Sequence, residues 1–209
     1  SANVFAYISF ILATLVLAIA LFAGCKNPSS NTKSIVKSGV PTPTTSPAAC
    51  LKSGTDVELQ KALDQNKIVA LCPQAQFQLS HQVNVHSGTQ LYTVGKPTTA
   101  NYAVLTLARD FPLTGSAIRG VDLTGSAASS VYLGYFKIDG NRGAVGTHSG
   151  IDLVNLGGPT VKGYPSGDFT VESLLMQESP GWSHLSLAAP CQSAKIINNT
   201  IFGSANAHN

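Results

Sequence analysis

The sequence predicts an all-β domain of the solenoid type that begins with one short capping α-helix. Short runs rich in Val, Ile, Leu, Tyr and Phe follow one another after residue 67, and Gly, Asn, Ser or Pro separates them. No second long helical pattern intervenes. Such strands could also form a sandwich or a barrel. The solenoid is favoured because the runs come unevenly, in sets about 20 residues apart, and end in repeated polar turns.

The charge distribution argues against nucleic-acid binding. Only 11% of the 209 residues are charged, against about 25% in a typical soluble protein. The net charge is +3, but Lys26, Lys33, Lys37 and Lys52 all precede Gly54. From there on, nine Lys and Arg residues face ten Asp and Glu residues. The folded part therefore lacks the basic balance that binding to phosphates requires.

The first 25 residues predict export. Residues 4–24 are apolar, without charge or proline, and about 20 such residues are enough to cross a bilayer as a helix. A signal anchor is our first interpretation, and a cleaved signal peptide is the second. A third interpretation is a lipoprotein site, since Ala23 and Gly24 precede Cys25, although Phe22 departs from that pattern.

Residues 26–49 predict a disordered linker. They are rich in Ser, Thr, Pro and Lys and cannot bury enough apolar surface to fold. Their prolines stiffen the segment into an extended spacer. The folded domain is therefore expected at 50–209. Because the chain starts without Met and stops just after a strand pattern, we expect it to be the N-terminal part of a longer protein.

A capping helix is predicted at about 56–65. Thr55 and Glu58 form a capping box, and apolar residues follow with helical spacing. A solenoid needs such a cap over its first coil. Cys50 and Cys72 bracket the helix, so we predict a disulfide between them, which would contribute about 3 kcal/mol. Cys191 is then left over, and without a CxxC spacing we predict no metal site.

The strands are predicted from the period of their apolar residues. The predicted strands are 68–72, 83–85, 91–94, 103–107, 118–123, 131–138, 151–156, 169–176, 185–187 and 195–202. Asn198 and Asn199 lie in the last of these, where stacked asparagines could satisfy backbone groups of adjacent coils.

Several motifs occur together in an order that resembles a known family. They are the helix followed by Leu71-Cys72-Pro73, then Leu91 to Pro97, Ile138 to Arg142, Pro180 to Ser183 and Asn198 to Ile201. In this order they resemble a microbial family of pectin-lyase-like proteins over about residues 50–209. The resemblance implies a right-handed parallel β-helix with further coils and cysteines. Relatives on that fold include polysaccharide lyases and glycoside hydrolases, but a fold does not establish a function.

Two groups of residues are candidate sugar-binding sites. Asp139, Asn141 and Arg142 form a compact polar group in which Arg142 could pair with a uronate carboxylate. The alternative is a solvated turn. Trp182 could stack on a sugar ring and His184 could act as an acid or base near neutral pH. The alternative is a Trp that packs its loop against the coil.

Two further predictions concern an N-glycosylation sequon and a pair of histidines. Asn198 begins an N-glycosylation sequon, which would matter only on a eukaryotic secretory route. His81 and His86 are five residues apart in a strand region and should point to opposite faces, which argues against a shared metal.

Two functions follow from the sequence. The first is an extracytoplasmic, membrane-tethered module that binds or presents to polysaccharide without catalysis. The second is the N-terminal part of a polysaccharide lyase or glycoside hydrolase acting on uronic-acid-containing polysaccharide. A hydrolase needs two acids beside the glycosidic bond, and a lyase needs a base, often with Ca²⁺. Candidate acids of the coil region include Asp122, Asp139, Asp152, Glu172 and Glu178.

Overall fold

The structure is a computed structural model that describes residues 49–147, 150–156, 168–181, 183–187 and 193–203. The predicted membrane segment at 4–24, Cys25, most of the linker, Trp182 and Cys191 lie outside these residues. Within the described part of the chain, no helix is long and apolar enough to cross a membrane.

Helix α1 spans Asp56–Gln65, as the capping box predicts. The Thr55 hydroxyl accepts a hydrogen bond from the Val57 amide, and the Glu58 carboxylate accepts one from the Thr55 amide. These contacts satisfy amides that a helix start leaves without partners. Leu59 and Leu63 are buried on the face that packs against the first strands. The helix therefore covers one end of the apolar core.

Most of the other described residues are in parallel sheets. The six-stranded sheet contains β1 Gly54–Thr55, β3 Gln76–Leu79, β6 Ala103–Leu107, β9 Phe136–Asp139, β12 Leu175–Gln177 and β15 Thr200–Phe202. The five-stranded sheet contains β2 Ile68–Leu71, β5 Gln90–Thr93, β8 Val131–Gly134, β11 Asp168–Glu172 and β14 Ser193–Ile197. The four-stranded sheet contains β4 Val83–Val85, β7 Thr114–Gly120, β10 Gly150–Leu156 and β13 Ser183–Leu187. A short helix, α2, spans Arg142–Val145, and a 3₁₀ turn spans Thr99–Asn101.

The chain visits the three sheets in a fixed rotation. From β2 onward, three successive strands lie in the five-stranded, the six-stranded and the four-stranded sheet, in that order. The strand after them lies in the five-stranded sheet again, and the order repeats. We call each set of three a rung. Strands of successive rungs pair in parallel in every sheet. This rotation is consistent with the predicted solenoid.

Apolar side chains from successive rungs stack in register to form the core. In the six-stranded sheet, Phe77 pairs with Leu105, Leu105 with Ile138, and Ile138 with Met176. All four side chains are at most 1% exposed. Similar columns run through Leu91, Leu133 and Val171 and through Val83, Ile118 and Val154. Each rung thus buries its apolar side chains against the rung before it and the rung after it.

Three predicted strands are each divided in two. The predictions of single strands at 131–138, 169–176 and 195–202 were wrong, because the chain turns from the five-stranded to the six-stranded sheet within each run. The turns occur at Tyr135, Ser173 and Asn198, whose φ angles are 60°, 53° and 52°. A positive φ breaks the extended conformation, so one residue redirects the strand.

Two strands of the structure, β1 and β3, were not predicted from the sequence. Strand β1 has only two residues, and β3 is the alternating run Gln76-Phe77-Gln78-Leu79. The two glutamines of β3 are exposed, whereas Phe77 and Leu79 are buried. The run was missed because only half of its residues are apolar.

Asn199 bonds to the preceding rung, as expected of an asparagine in such a turn. Its amide nitrogen donates to the Val171 carbonyl, and its oxygen accepts from the Leu174 amide, both at 2.8 Å. The corresponding turn of the preceding rung contains Ser173 and Leu174 instead. The described residues therefore show one asparagine with this role at the corner and not a stack of them.

A disulfide joins Cys50 to Cys72, the pair that brackets α1. Beside it, the Leu51 amide donates to the Ala70 carbonyl, and the Cys72 amide donates to the Leu51 carbonyl. The segment before α1 is thereby attached to the first rung through both covalent and hydrogen bonds.

Candidate functional site

The predicted group Asp139, Asn141 and Arg142 lies at the corner where the chain leaves β9. Asp139 accepts a hydrogen bond from the Asn141 amide at 2.9 Å, and its second oxygen lies 3.2 Å from the Lys137 ammonium. That oxygen also accepts from Gln177 of the next rung at 2.7 Å. The carboxylate is thus already bonded within the protein.

Arg142 has a carboxylate partner that the sequence did not suggest. Its guanidinium lies 3.1 Å from a carboxylate oxygen of Glu178, on the next rung. The rungs approach so closely here that a Cβ on Gly140 would lie 2.3 Å from the Glu178 carbonyl oxygen. A uronate would have to compete with Glu178 for the same guanidinium.

His184 lies in β13 and is buried. Its Nε2 lies 3.2 Å from the Phe202 carbonyl, to which it can donate. Burial lowers the pKa of His184, while Glu178 and Arg142 act on that pKa in opposite directions. Burial thus favours the neutral form of the ring. His184 thus lies close to the Arg142 corner, whereas Trp182 lies outside the described residues.

A second polar surface, not predicted from the sequence, lies on the four-stranded sheet. Asn84, Arg119, Asn155 and Ser186 occupy the same register position on four adjacent strands. We call these four residues the ladder face. In parallel sheets such neighbours are spaced about 4.7–4.9 Å apart. The residues just before three of them, Val83, Ile118 and Val154, are fully buried. The ladder residues therefore point away from the core.

Hydrogen bonds hold the side chains of two ladder residues, Asn84 and Asn155, in place. Asp152 accepts from the Ser183 hydroxyl at 2.6 Å and from the Asn155 amide nitrogen at 3.0 Å. Gln82 donates to the Asn84 side-chain oxygen at 2.9 Å. The side-chain amides of Asn84 and Asn155 are thus held in fixed orientations, and within the described ranges no residue donates to the Asn155 side-chain oxygen.

Arg119 is the exposed cation of this face. It lies in register between Asn84 and Asn155 and makes no hydrogen bond or ion pair with any residue of the described ranges. A guanidinium carries five N–H donors in a planar arrangement that matches a carboxylate. The face therefore offers one charged donor group with neutral amides beside it.

A cluster of tyrosines surrounds Glu172 on the five-stranded sheet. The Tyr132 and Tyr135 hydroxyls donate to the two carboxylate oxygens at 2.8 and 2.7 Å. The Tyr132 side chain lies against Gly134. A Cβ atom at Gly134 would lie 2.6 Å from the Tyr132 hydroxyl oxygen, so a larger residue there would clash with the ring. The ammonium nitrogen of Lys96 lies 5.4 Å from the centre of the Tyr135 ring. Each carboxylate oxygen of Glu172 thus accepts one tyrosine hydroxyl, and the carboxylate joins the two tyrosines into one network.

The network around Glu172 predicts that the Tyr135 hydroxyl loses its proton only in strongly alkaline solution. Burial raises the pKa of Tyr135 to about 12, and the hydrogen bond to Glu172 and its charge add to the effect. Since the folded-state pKa is raised, the stabilisation is complete below about pH 10 and is lost as the pH rises through about 12. Glu172→Gln should shift this pKa back towards 10 in a spectroscopic titration of tyrosinate.

Tyr135→Phe identifies the titration step that belongs to Tyr135, and Glu178→Gln serves as the control carboxylate. The control should leave the step unchanged. A wild-type Tyr135 that titrates at the ordinary tyrosine pKa would contradict the network.

Comparisons with protein-family models, curated proteins and solved structures give no match for this chain. The resemblance to pectin-lyase-like proteins thus stays a prediction. Within the described ranges, no three His, Cys, Asp or Glu residues are grouped so that they could hold a metal ion. His81 and His86 each pair with a different aspartate of α1, Asp56 and Asp64.

Proposed function

We propose that this chain is a polysaccharide-binding protein, exported and membrane-tethered, and that the ladder face is its binding surface. We further propose that its strands wind as a right-handed parallel β-helix of the pectin-lyase-like type. The rotation of the chain through three parallel sheets supports the winding. Its hand is supported by the rule that connections between parallel strands of one sheet are right-handed in about 98% of cases.

The position of Arg119 is the observation that carries the binding proposal. A polysaccharide is a repeating polymer, and the ladder face repeats a polar group on every strand. Arg119 would pair with a uronate carboxylate, while Asn84, Asn155 and Ser186 would bond to sugar hydroxyls. We therefore propose a uronic-acid-containing polysaccharide as the ligand class.

The disulfide supports export. Structural disulfides form in oxidising compartments and are rare in the cytosol. Cys50 and Cys72 are joined immediately after the predicted linker, and residues 4–24 are long and apolar enough to anchor a chain.

Replacing Arg119 with alanine tests the proposal. We expect Arg119→Ala to weaken binding to polygalacturonate about tenfold, the effect of one lost charge-assisted hydrogen bond. Arg109→Ala is the matched control, since Arg109 is an exposed arginine of the same rung but lies outside the ladder face, at the corner after β6. Affinities are measured by titration calorimetry at fixed salt. Equal losses in the two variants, or no loss in Arg119→Ala, would refute the proposed face.

The same samples distinguish binding from catalysis. Polygalacturonate is incubated with the protein, with and without Ca²⁺, and unsaturated products and reducing ends are measured. The binding proposal expects neither product. Unsaturated ends would instead support a polysaccharide lyase, and new reducing ends alone a glycoside hydrolase.

A further inference from the structure

Both ends of α1 are attached to the first rung by a histidine and an aspartate. At the start of the helix, Asp56 lies 3.0 Å from Nδ1 of His81. In its last turn, Asp64 lies 3.0 Å from Nε2 of His86. His81 is largely exposed, with 75% of its side chain accessible, whereas the His86 side chain is only 16% exposed. The carboxylates show the reverse order, with 10% of the Asp56 side chain and 45% of the Asp64 side chain exposed, so the two contacts differ in which partner faces water.

His86 faces a hydrogen-bond acceptor at each ring nitrogen. Nδ1 lies 2.7 Å from the Val121 carbonyl oxygen, and Nε2 lies 3.0 Å from a carboxylate oxygen of Asp64. A neutral imidazole has one N–H donor, whereas an imidazolium has two. Only the protonated ring can donate to both partners, and a neutral ring would point a lone pair at one of them.

The surrounding charges come from three segments. Asp64 belongs to α1 and also accepts from Gln60. Lys67 precedes β2 and donates to the Ser87 carbonyl at 2.6 Å. Asp122 follows β7 and accepts from the amide and hydroxyl of Ser87. His86 thus lies where the helix, the first rung and the turn after β7 meet.

Asp64 is suited to remain charged beside this ring. The hydrogen bond from His86, followed by that from Gln60, lowers the pKa of Asp64. An open cavity of about 430 Å³ lies against Asp64, His86 and Asp122. Protons can therefore reach the group from solvent.

We propose that His86 and Asp64 form a pH-dependent clamp on the capping helix. The clamp is closed while Asp64 is ionised and both ring nitrogens of His86 carry a proton, because only then can the ring donate to both acceptors. It loosens as the pH rises and the ring loses its proton, because one of its two hydrogen bonds is then lost. It also loosens in strong acid, once Asp64 is protonated. The helix thus covers the core most tightly while the His86 ring carries both protons.

Hydrogen exchange of the α1 amides in the full chain tests this clamp. After correction for intrinsic rates, α1 should lose about tenfold protection between about pH 5.5 and about pH 8, as expected for one charge-assisted hydrogen bond. His86→Gln and Asp64→Asn should each remove this pH dependence. His81→Gln is the matched control and should retain it, because His81 bonds to the other end of the helix.

The ¹⁵N shifts of the His86 ring in the wild-type chain provide a second test that needs no variant. Both ring nitrogens should carry a proton at about pH 5.5. A single neutral tautomer at that pH would overturn the proposal. The same conclusion would follow if α1 protection in the wild type were independent of pH, or if His86→Gln kept the full dependence.

Discussion

Replacing Leu133 with alanine is expected to lower the free energy of unfolding by about 2–5 kcal/mol, the usual cost of removing a buried leucine. Leu133 is fully buried and pairs in register with Leu91 on one side and Val171 on the other. The cavity would open between two rungs, where neighbouring strands hold the backbone and limit relaxation. Denaturant unfolding followed by circular dichroism measures the loss.

Leu123→Ala is the matched control for this prediction. Leu123 is 82% exposed in the turn after β7, so its truncation should change the stability by less than about 0.5 kcal/mol. If the two leucine variants lost similar stability, the stacked apolar columns would not be the main source of stability.

Removing the disulfide with the double substitution Cys50→Ser and Cys72→Ser should cost about 3 kcal/mol, because the unfolded chain regains the freedom of the closed loop. The loop is short, with a sequence separation of 22, and it contains α1. We therefore expect the helix to lose protection from hydrogen exchange before the later rungs do. Thermal unfolding and peptide-resolved exchange measure the two effects.

Reductant provides the internal control for the disulfide. It should destabilise the wild-type chain by about the same amount and leave the double variant unchanged. A wild-type chain whose unfolding is insensitive to reductant would show that the bond does not stabilise the cap.

The most accurate predictions from the sequence concerned elements that depend on residues close together in the chain. Helix α1 was predicted with its observed bounds, because a capping box and helical spacing depend on neighbouring residues. Strands β4 and β6 were predicted with their observed bounds as short runs rich in Val and Leu. The corners at Tyr135 and Ser173 were missed, since neither residue type favours a positive φ. Packing between rungs imposes those conformations.

The candidate site depended on register, which the sequence did not reveal. Asn84 and Asn155 stand between apolar residues in Val83-Asn84-Val85 and Val154-Asn155-Leu156, so outward-facing polar positions could be recognised. That Arg119 lies between them follows only from strand pairing across distant segments. The Glu178 partner of Arg142 was missed for the same reason.

Chemical-shift mapping with oligogalacturonate tests the central claim most directly. An isotope-labelled chain is titrated with the oligosaccharide, and the amide and side-chain signals are followed. The account predicts saturable shifts at Arg119, Asn155 and Asn84, with little change at Arg142 and Asp139. Shifts confined to the Arg142 corner, or none at any ratio of sugar to protein, would contradict it.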